Sequence, residues 1–320
     1  MAARIVVTRR IPEPAIELLR SAGDVWVSPH DRPLATGELH EAVAGADAAV
    51  TLLHDRVDDA FLEAAGPGLR IVANVAVGYD NVDVPACARR GVIVSNTPGV
   101  LTEATADIAF ALVLMATRRL GEGERLIRSG RPWSWSMFFM LGTGVQGKTL
   151  GIVGLGKIGQ ATARRARAFG MEIAYAGRRR AAADVEAELG ARFVALDELL
   201  ATADVVSLHC PLSAETRHLV DAEALGRMKP SAFLVNTTRG PVVDEAALAE
   251  ALRAGTIAGA GLDVFEREPE VNAGLLELEN VVLIPHLGSA TVETRTAMGV
   301  LAGENVAAVL GGAAPVTPVG

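Results

Sequence analysis

The sequence predicts an α/β protein made of two doubly wound parallel-sheet domains, and three observations carry that expectation. Short β-rich runs alternate with amphipathic helical stretches from one end of the chain to the other, the pattern left by parallel strands joined through crossover helices. The alternation restarts once, after a long apolar helical stretch and an aromatic segment. The length, 320 residues, is too long for one average domain and suits two, each with its own core.

The first series places strands at RIVVT, DVWVS, AAVTLL, RIVANV and GVIVSN, separated by helical pieces such as PEPAIELLRSAG and DDAFLEAAG. From Leu101 to Ile127 the apolar residues occupy most faces of a helix, which predicts one long, largely buried helix. The aromatic run RPWSWSMFF follows, unusual in a chain that is 4% aromatic. The second series then reads TLGIVG, EIAYA, DVVSLH, AFLVN, AGAGLDV and NVVLIPH as strands, with QATARRARAFG and DEAALAEALRAG among the helices. TVETRTAMGVLAGENVAAVL predicts a last helix, and the tail GGAAPVTPVG is expected to be loose.

Composition narrows the class. Half of the chain is hydrophobic and 21% is charged, ordinary for a soluble enzyme, and no apolar run reaches the roughly 20 residues a membrane-spanning helix needs. The start, MAARIVVTRRIPEP, shows no secretory core or cleavage site, so the expected location is the cytoplasm. Cys87 and Cys210 stand at no metal-ligand spacing; neither a disulfide framework nor a metal site is expected, and both are read as small buried hydrophobes. A net charge of -8 speaks against a nucleic-acid partner, which would meet a basic face.

The strongest local signal is TLGIVGLGKIGQATARRARAFG. Gly154, Gly156 and Gly159 stand in G-x-G-x-x-G spacing, after a strand and at the opening of a helix. The first glycine permits the tight turn, the second admits a pyrophosphate against the backbone, and the third lets helix and strand pack closely. Anion binding then falls to unpaired N–H groups at the helix start. In this Rossmann-type unit the next strand, EIAYA, should end in an acidic residue if the ribose hydroxyls of NAD are to be bound. Gly177, Arg178, Arg179 and Arg180 stand there instead. Gly177 leaves room, and Arg178 and Arg179 can donate forked, charge-assisted hydrogen bonds to a 2′-phosphate. The expected cofactor is NADP(H) in preference to NAD(H).

Three ionisable residues fall at carboxyl ends of second-series strands, where ligands of open α/β sheets gather. They are Arg239 in NTTRGPVVD, Glu268 in GLDVFEREPE and His286 in NVVLIPHLGSAT. Carbonyl reduction needs an acid for the oxygen, a polariser for the bond and an anchor for a neighbouring carboxylate. A histidine beside a carboxylate supplies the first, and an arginine's donor fork supplies the other two. In the first series, NVAVGYDNVD sets Val77 and Gly78 in a loop after a strand, where backbone N–H groups can cup an anion. Tyr79 and Asp80 are read as supports of that loop.

These segments, with GKTLGIVGLGKIGQATARRARAFGM, DVVSLHCPLSAETRHLV, FLVNTTRGPVVDEAALAEAL, AGAGLDVFEREP and LIPHLGSAT, run over essentially the whole chain. They resemble the D-isomer-specific 2-hydroxyacid dehydrogenase family. The resemblance implies that Arg239 binds substrate, that His286 exchanges the proton and that Glu268 pairs with it. It implies a phosphate loop of Leu155, Gly156, Lys157 and Ile158, and a nicotinamide side lined by Thr237, Thr238, Asp263 and the backbone from His286 to Gly288. Thr105 and Pro211 are further cofactor candidates. Leu53 resembles a pocket-wall position, though a core leucine is the simpler reading. The implied division is a substrate-binding domain of residues 1–100 with 288–320, smaller and flavodoxin-like, around a dinucleotide-binding domain of residues 101–287.

Within the family, HLGSAT, AGRRR and PWSW resemble the glyoxylate/hydroxypyruvate reductase branch. There a tryptophan matching Trp135, or else Trp133, reaches the partner subunit's pocket, which implies a homodimer. The expected reaction is NADPH-dependent reduction of glyoxylate or hydroxypyruvate to glycolate or D-glycerate. The alternatives are another substrate (2-ketogluconate, 3-phosphoglycerate or phosphite) or a non-catalytic, dinucleotide-sensing scaffold like the corepressors of this fold.

Overall fold

The computed structural model describes residues 2–319 of the chain. Its elements in order are β1 (Arg4–Val7), α1 (Glu13–Ala22), β2 (Asp24–Val27), α2 (Thr36–Val43), β3 (Ala48–Thr51), α3 (Asp59–Ala65), β4 (Ile71–Asn74), α4 (Val84–Arg89), β5 (Ile93–Ser95), α5 (Thr102–Thr117) and α6 (Leu120–Arg128). They continue with β6 (Thr149–Val153), α7 (Lys157–Ala168), β7 (Glu172–Ala176), α8 (Ala183–Leu189), β8 (Ala191–Phe193), α9 (Leu196–Thr202), β9 (Val205–Leu208), α10 (Ala222–Arg227), β10 (Phe233–Asn236), α11 (Glu245–Ala254), β11 (Gly259–Leu262), α12 (Ala273–Leu276), β12 (Val281–Leu283) and α13 (Val292–Leu310).

The chain divides into two compact units, Met1–Leu101 with Ser289–Gly320, and Thr102–Gly288. The first holds a five-stranded sheet in the order β2-β1-β3-β4-β5, the second a seven-stranded sheet in the order β12-β11-β10-β9-β6-β7-β8. Every strand pairing in both sheets is parallel. Parallel strands are covered on both faces by their crossover helices and so read as continuous apolar runs. All four residues of β3, β4, β9, β10 and β11 are buried. In the first unit α13 packs Ala302, Val306 and Val309 with Ile5, Val7 and Ile16 of β1 and α1.

Three expectations are corrected. The predicted single helix from Leu101 to Ile127 is two helices, α5 and α6, broken where Arg119 takes φ 54°. The Thr143 N–H caps the Thr117 carbonyl at 2.7 Å, so a distant loop ends α5. No residue of α6 is buried. The tail is not loose: Pro318 bridges to Ser95, and the Val319 N–H donates to the Val94 carbonyl at 2.8 Å. Finally, β8 has no counterpart among the strands expected from sequence. It is a three-residue edge strand of sequence ARF with two exposed positions, too short and too polar for the alternation to register. Among the described residues no helix is long and apolar enough to cross a membrane, and no cluster of three or more metal-ligating side chains occurs.

Candidate active site

Strands β10, β11 and β12 are neighbours in the second unit's sheet, so the loops at their carboxyl ends are neighbours too. β10 ends on Asn236, whose side chain organises the turn beyond it. Its Oδ1 accepts from the Thr238 N–H at 3.0 Å and the Thr238 hydroxyl at 2.8 Å, and its Nδ2 donates to the Arg239 carbonyl at 2.9 Å. The Arg239 guanidinium donates to the Thr238 carbonyl at 2.9 Å. Thr237 is 9% exposed, and its hydroxyl, buried, has no hydrogen-bond partner among the described residues.

β11 runs into Asp263, which is 1% exposed. Its carboxylate accepts from the Leu287 N–H and from the Gly288 N–H, the latter at 2.8 Å, while its carbonyl accepts from the His286 N–H at 2.9 Å. Burial pushes the Asp263 carboxyl upward, and the Leu287 and Gly288 N–H groups pull against that shift. Asp263 therefore holds the turn that presents His286, a residue with φ 52° in the left-handed region. Such a conformation costs about 1 kcal/mol in a residue with a Cβ and is concentrated at functional sites.

The structure brings Glu268 and His286 together. Glu268 Oε2 lies 2.8 Å from His286 Nδ1, and Glu268 Oε1 accepts from the Phe265 N–H at 3.0 Å. Both side chains are partly buried, 18% and 28% exposed. Behind them lies a residue that sequence reading did not single out. Glu245, first in α11 and 4% exposed, accepts from the Glu266 N–H at 2.6 Å, and burial pushes its carboxyl up. The signal for it was a glutamate opening a helix just past the TRG turn. Asn236 is the second such residue; an asparagine ending an apolar strand is the mark of a side chain that caps a turn.

The glycine loop follows β6. Gly154 has φ 96°, and a Cβ there would come within 2.9 Å of the Cys210 nitrogen, so only glycine fits. A Cβ on Gly159 would meet the Gly154 carbonyl oxygen at 2.5 Å, whereas around Gly156 nothing lies within 4 Å. α7 carries no side-chain cap and no acidic residue in its first turn. Its opening N–H groups, including those of Lys157 and Ile158, lie beyond the reach of intrahelical acceptors. Open space at Gly156 beside an uncapped helix start of a twelve-residue helix is what a dinucleotide pyrophosphate requires, and these residues fit one. Leu155 offers its carbonyl to Gln160 Nε2 at 3.1 Å.

Past the end of β7 the three arginines separate. Arg180 is bound to Glu186 through Nε at 2.9 Å and a terminal nitrogen at 2.8 Å, and Glu186 also accepts from the Tyr175 hydroxyl. Arg178 and Arg179 are exposed and have no ion-pair partner among the described residues. No carboxylate ends this strand, and a Cβ on Gly177 would meet only the Arg179 carbonyl, at 3.8 Å.

In the first unit, Val77 and Gly78 follow β4 and are half-buried. Leu53 lies in the turn after β3 and is half-buried rather than part of the core, a correction to the simpler reading: the apolar run continues past the strand into the turn. In the second unit Thr105 is 6% exposed in α5, within contact range of Gly288. Pro211 is exposed and offers its carbonyl to the Thr216 hydroxyl at 2.6 Å. Cys210 is only partly buried. Trp133 stacks on Phe139 at a centroid distance of 5.9 Å, and Trp135 is 74% exposed.

The family model described as D-isomer specific 2-hydroxyacid dehydrogenase, NAD binding domain, matches residues 110–288. The glyoxylate reductase of Thermococcus litoralis is 48% identical over 322 residues, spanning 98% of this chain and 96% of that protein. The glyoxylate reductase of Korarchaeum cryptofilum is 50% identical over 318 residues, spanning 98% and 95%. Among solved structures, the NADPH-dependent glyoxylate/hydroxypyruvate reductase of Sinorhizobium meliloti, in complex with NADP and malonate, matches with a TM-score of 0.84 and 37% identity, over 100% of this chain and 97% of that one.

Proposed function

The chain belongs to the D-isomer specific 2-hydroxyacid dehydrogenase family, and from that premise we propose that it reduces glyoxylate or hydroxypyruvate to glycolate or D-glycerate, using NADPH in preference to NADH. The observation that carries the reading is the Glu268–His286 contact at 2.8 Å, made beyond β11 and β12, with β11 lying directly beside β10, the strand that leads to Arg239.

The bound reduced nicotinamide supplies a hydride to the 2-carbon of the 2-oxo acid. His286 then has one task, to deliver a proton to the oxygen as the C=O bond becomes an alkoxide. Because Nδ1 is engaged by Glu268, the exchanged proton is the one on Nε2. Glu268 holds the ring in one orientation and stabilises the imidazolium that donates. Arg239 polarises the carbonyl and takes the substrate carboxylate; within the first unit, the Val77 and Gly78 amides are the proposed seat for a carboxylate. Gly154–Gly159 would hold the cofactor, with Thr237, Thr238, Asp263 and Gly288 toward the nicotinamide and Thr105 and Pro211 as further cofactor contacts. Arg178 and Arg179 receive the 2′-phosphate. The S. meliloti relative, NADPH-dependent and bound to NADP, supports the choice of coenzyme.

The exposed aromatic segment supports a homodimer with Trp135 at the contact. Trp135, Met137 and Phe138 are 74%, 71% and 86% exposed, and contiguous apolar surface of this kind marks interfaces. Sedimentation of the protein and of Trp135→Ala tests that assignment.

The deciding experiment is a panel of 2-oxo acids assayed with NADPH and NADH in parallel. The expected result is the highest kcat/KM for glyoxylate or hydroxypyruvate, with NADPH preferred at least about tenfold, or about 1.4 kcal/mol. No turnover of any 2-oxo acid with either coenzyme overturns the enzyme reading. A preference for NADH overturns the phosphate assignment alone.

A further inference from the structure

We infer that the C-terminal segment positions the substrate carboxylate site, through a chain of hydrogen bonds running from Asn305 and Thr317 to Asn96 and from Asn96 to the loop of Val77 and Gly78. The inference rests on that loop being the carboxylate seat proposed above.

The loop's geometry begins with its carbonyls. The Ala76 carbonyl accepts from the Thr97 N–H at 2.9 Å. The next carbonyl, that of Val77, accepts from Asn96 Nδ2 at 2.7 Å. In a planar trans peptide the N–H points opposite to the C=O of the same unit. Two consecutive carbonyls tied to two consecutive residues at the end of β5 therefore send two consecutive N–H groups, those of Val77 and Gly78, toward the opposite side. Neither N–H has a hydrogen-bond partner among the described residues. A pair of adjacent N–H groups aimed the same way is an anion-binding concavity. The Gly78 carbonyl is secured independently by Asn74 Nδ2 at 3.1 Å, and Asn74 is fully buried.

Asn96 is itself held by the tail. Its N–H donates to the Thr317 carbonyl at 3.3 Å, and its carbonyl accepts from the Thr317 hydroxyl at 2.6 Å. That hydroxyl in turn accepts from Asn305 Nδ2 at 2.9 Å, and the Thr317 N–H donates to Asn305 Oδ1 at 2.9 Å. Asn305 lies on α13 and is completely buried. The Thr317 hydroxyl thus links a rigid helix to the residue that orients the Val77 peptide. Its replacement by a methyl group removes the two hydroxyl bonds, to Asn305 Nδ2 and to the Asn96 carbonyl, and keeps the two made by the Thr317 backbone; Asn96 and Thr317 are thus positioning residues.

The test compares Asn96→Ala, Thr317→Val and Thr317→Ser in the full chain. KM for glyoxylate and the inhibition constant of oxamate, an unreactive 2-oxo acid mimic, are measured beside KM for NADPH. Asn96→Ala should raise both glyoxylate KM and oxamate inhibition constant about tenfold, and Thr317→Val about threefold. Thr317→Ser, which keeps the hydroxyl, should stay within about twofold of the parent. KM for NADPH should not move. Should Asn96→Ala fail to fold, the Thr317 pair decides. Equal constants in Thr317→Val and Thr317→Ser, or an unchanged glyoxylate KM in Asn96→Ala, overturn the proposal. Arg239→Gln separates the two levels: if it raises glyoxylate KM and the Asn96 and Thr317 variants do not, the clamp fails and the site stands. If none of them does, the site assignment fails as well.

Discussion

A Cβ placed on Gly240 would lie 1.8 Å from the carbonyl carbon of Phe265, so the turn carrying Arg239 is stacked directly on the backbone that leads to Glu268. Two groups far apart in sequence are set against each other by one missing side chain. Gly240→Ala must push these turns apart, and no flexible side chain is present to absorb the shift. We expect a loss of more than about 3 kcal/mol of stability and a fall of about a hundredfold or more in kcat/KM. Denaturant unfolding and steady-state kinetics check both; a stable, active variant would contradict the packing.

His286→Asn should lower kcat by about two to four orders of magnitude, the range general acid catalysis supplies, while coenzyme binding measured by fluorescence titration stays within about twofold. Glu268→Gln should fall short of that loss. Because the two side chains act as a pair, the double variant should be little worse than His286→Asn alone. Additive losses would show that the 2.8 Å contact is not a working unit.

Coenzyme preference should respond to two of the three arginines. Arg178→Glu with Arg179→Glu should raise KM for NADPH by at least about tenfold, and the NADPH to NADH ratio of kcat/KM should reverse. Arg180→Ala should leave that ratio within about threefold, because Arg180 is already engaged by Glu186. Parallel kinetics with both coenzymes decide, and an equal response from all three positions would refute the assignment.

Acid should weaken the second unit through His209. Its Nδ1 is buried without a partner among the described residues, its Nε2 lies 2.9 Å from the Ser207 hydroxyl, and burial pulls the imidazole down to about 4. The unfolded chain takes up this proton near the ordinary value of 6.5; the folded protein does so only at the lower one. Stability from this residue is therefore complete above about pH 6.5 and is lost as pH falls toward about 4, by up to about 3 kcal/mol. Asp55, Glu245 and Asp263, pushed up by burial, act in the opposite sense, so the comparison must be with His209→Gln. Urea unfolding at pH 7, 5.5 and 4.5 should give a smaller loss in His209→Gln than in the parent. Parallel pH dependences would remove His209 from the account.

Local features were legible where a residue's neighbours in sequence determine its environment. The glycine loop could be read because Gly154 needs a positive φ between a strand and a helix, and both elements announce themselves by apolar period. Arg239, Glu268 and His286 could be chosen because each follows a recognisable strand. Reading failed where distant residues intervene. The stretch from Leu101 to Ile127 has helical periodicity throughout, yet Thr143 caps Thr117 and ends α5 early. The tail has no periodicity at all and is ordered by Asn305, Ser95 and Val94.

From its residues alone this chain is an α/β protein with a dinucleotide fingerprint, because strand and helix periods and the steric needs of glycine are written within a few positions of one another. Tertiary structure alone decided which polar groups are already taken. It paired Arg180 with Glu186 and left Arg178 and Arg179 without ion-pair partners among the described residues, and it linked Thr317 to Asn96 across 221 positions. The physical reason is that a hydrogen bond forms only where packing brings donor and acceptor within about 3 Å, and between remote segments that distance is set by the sheets and helices that carry them.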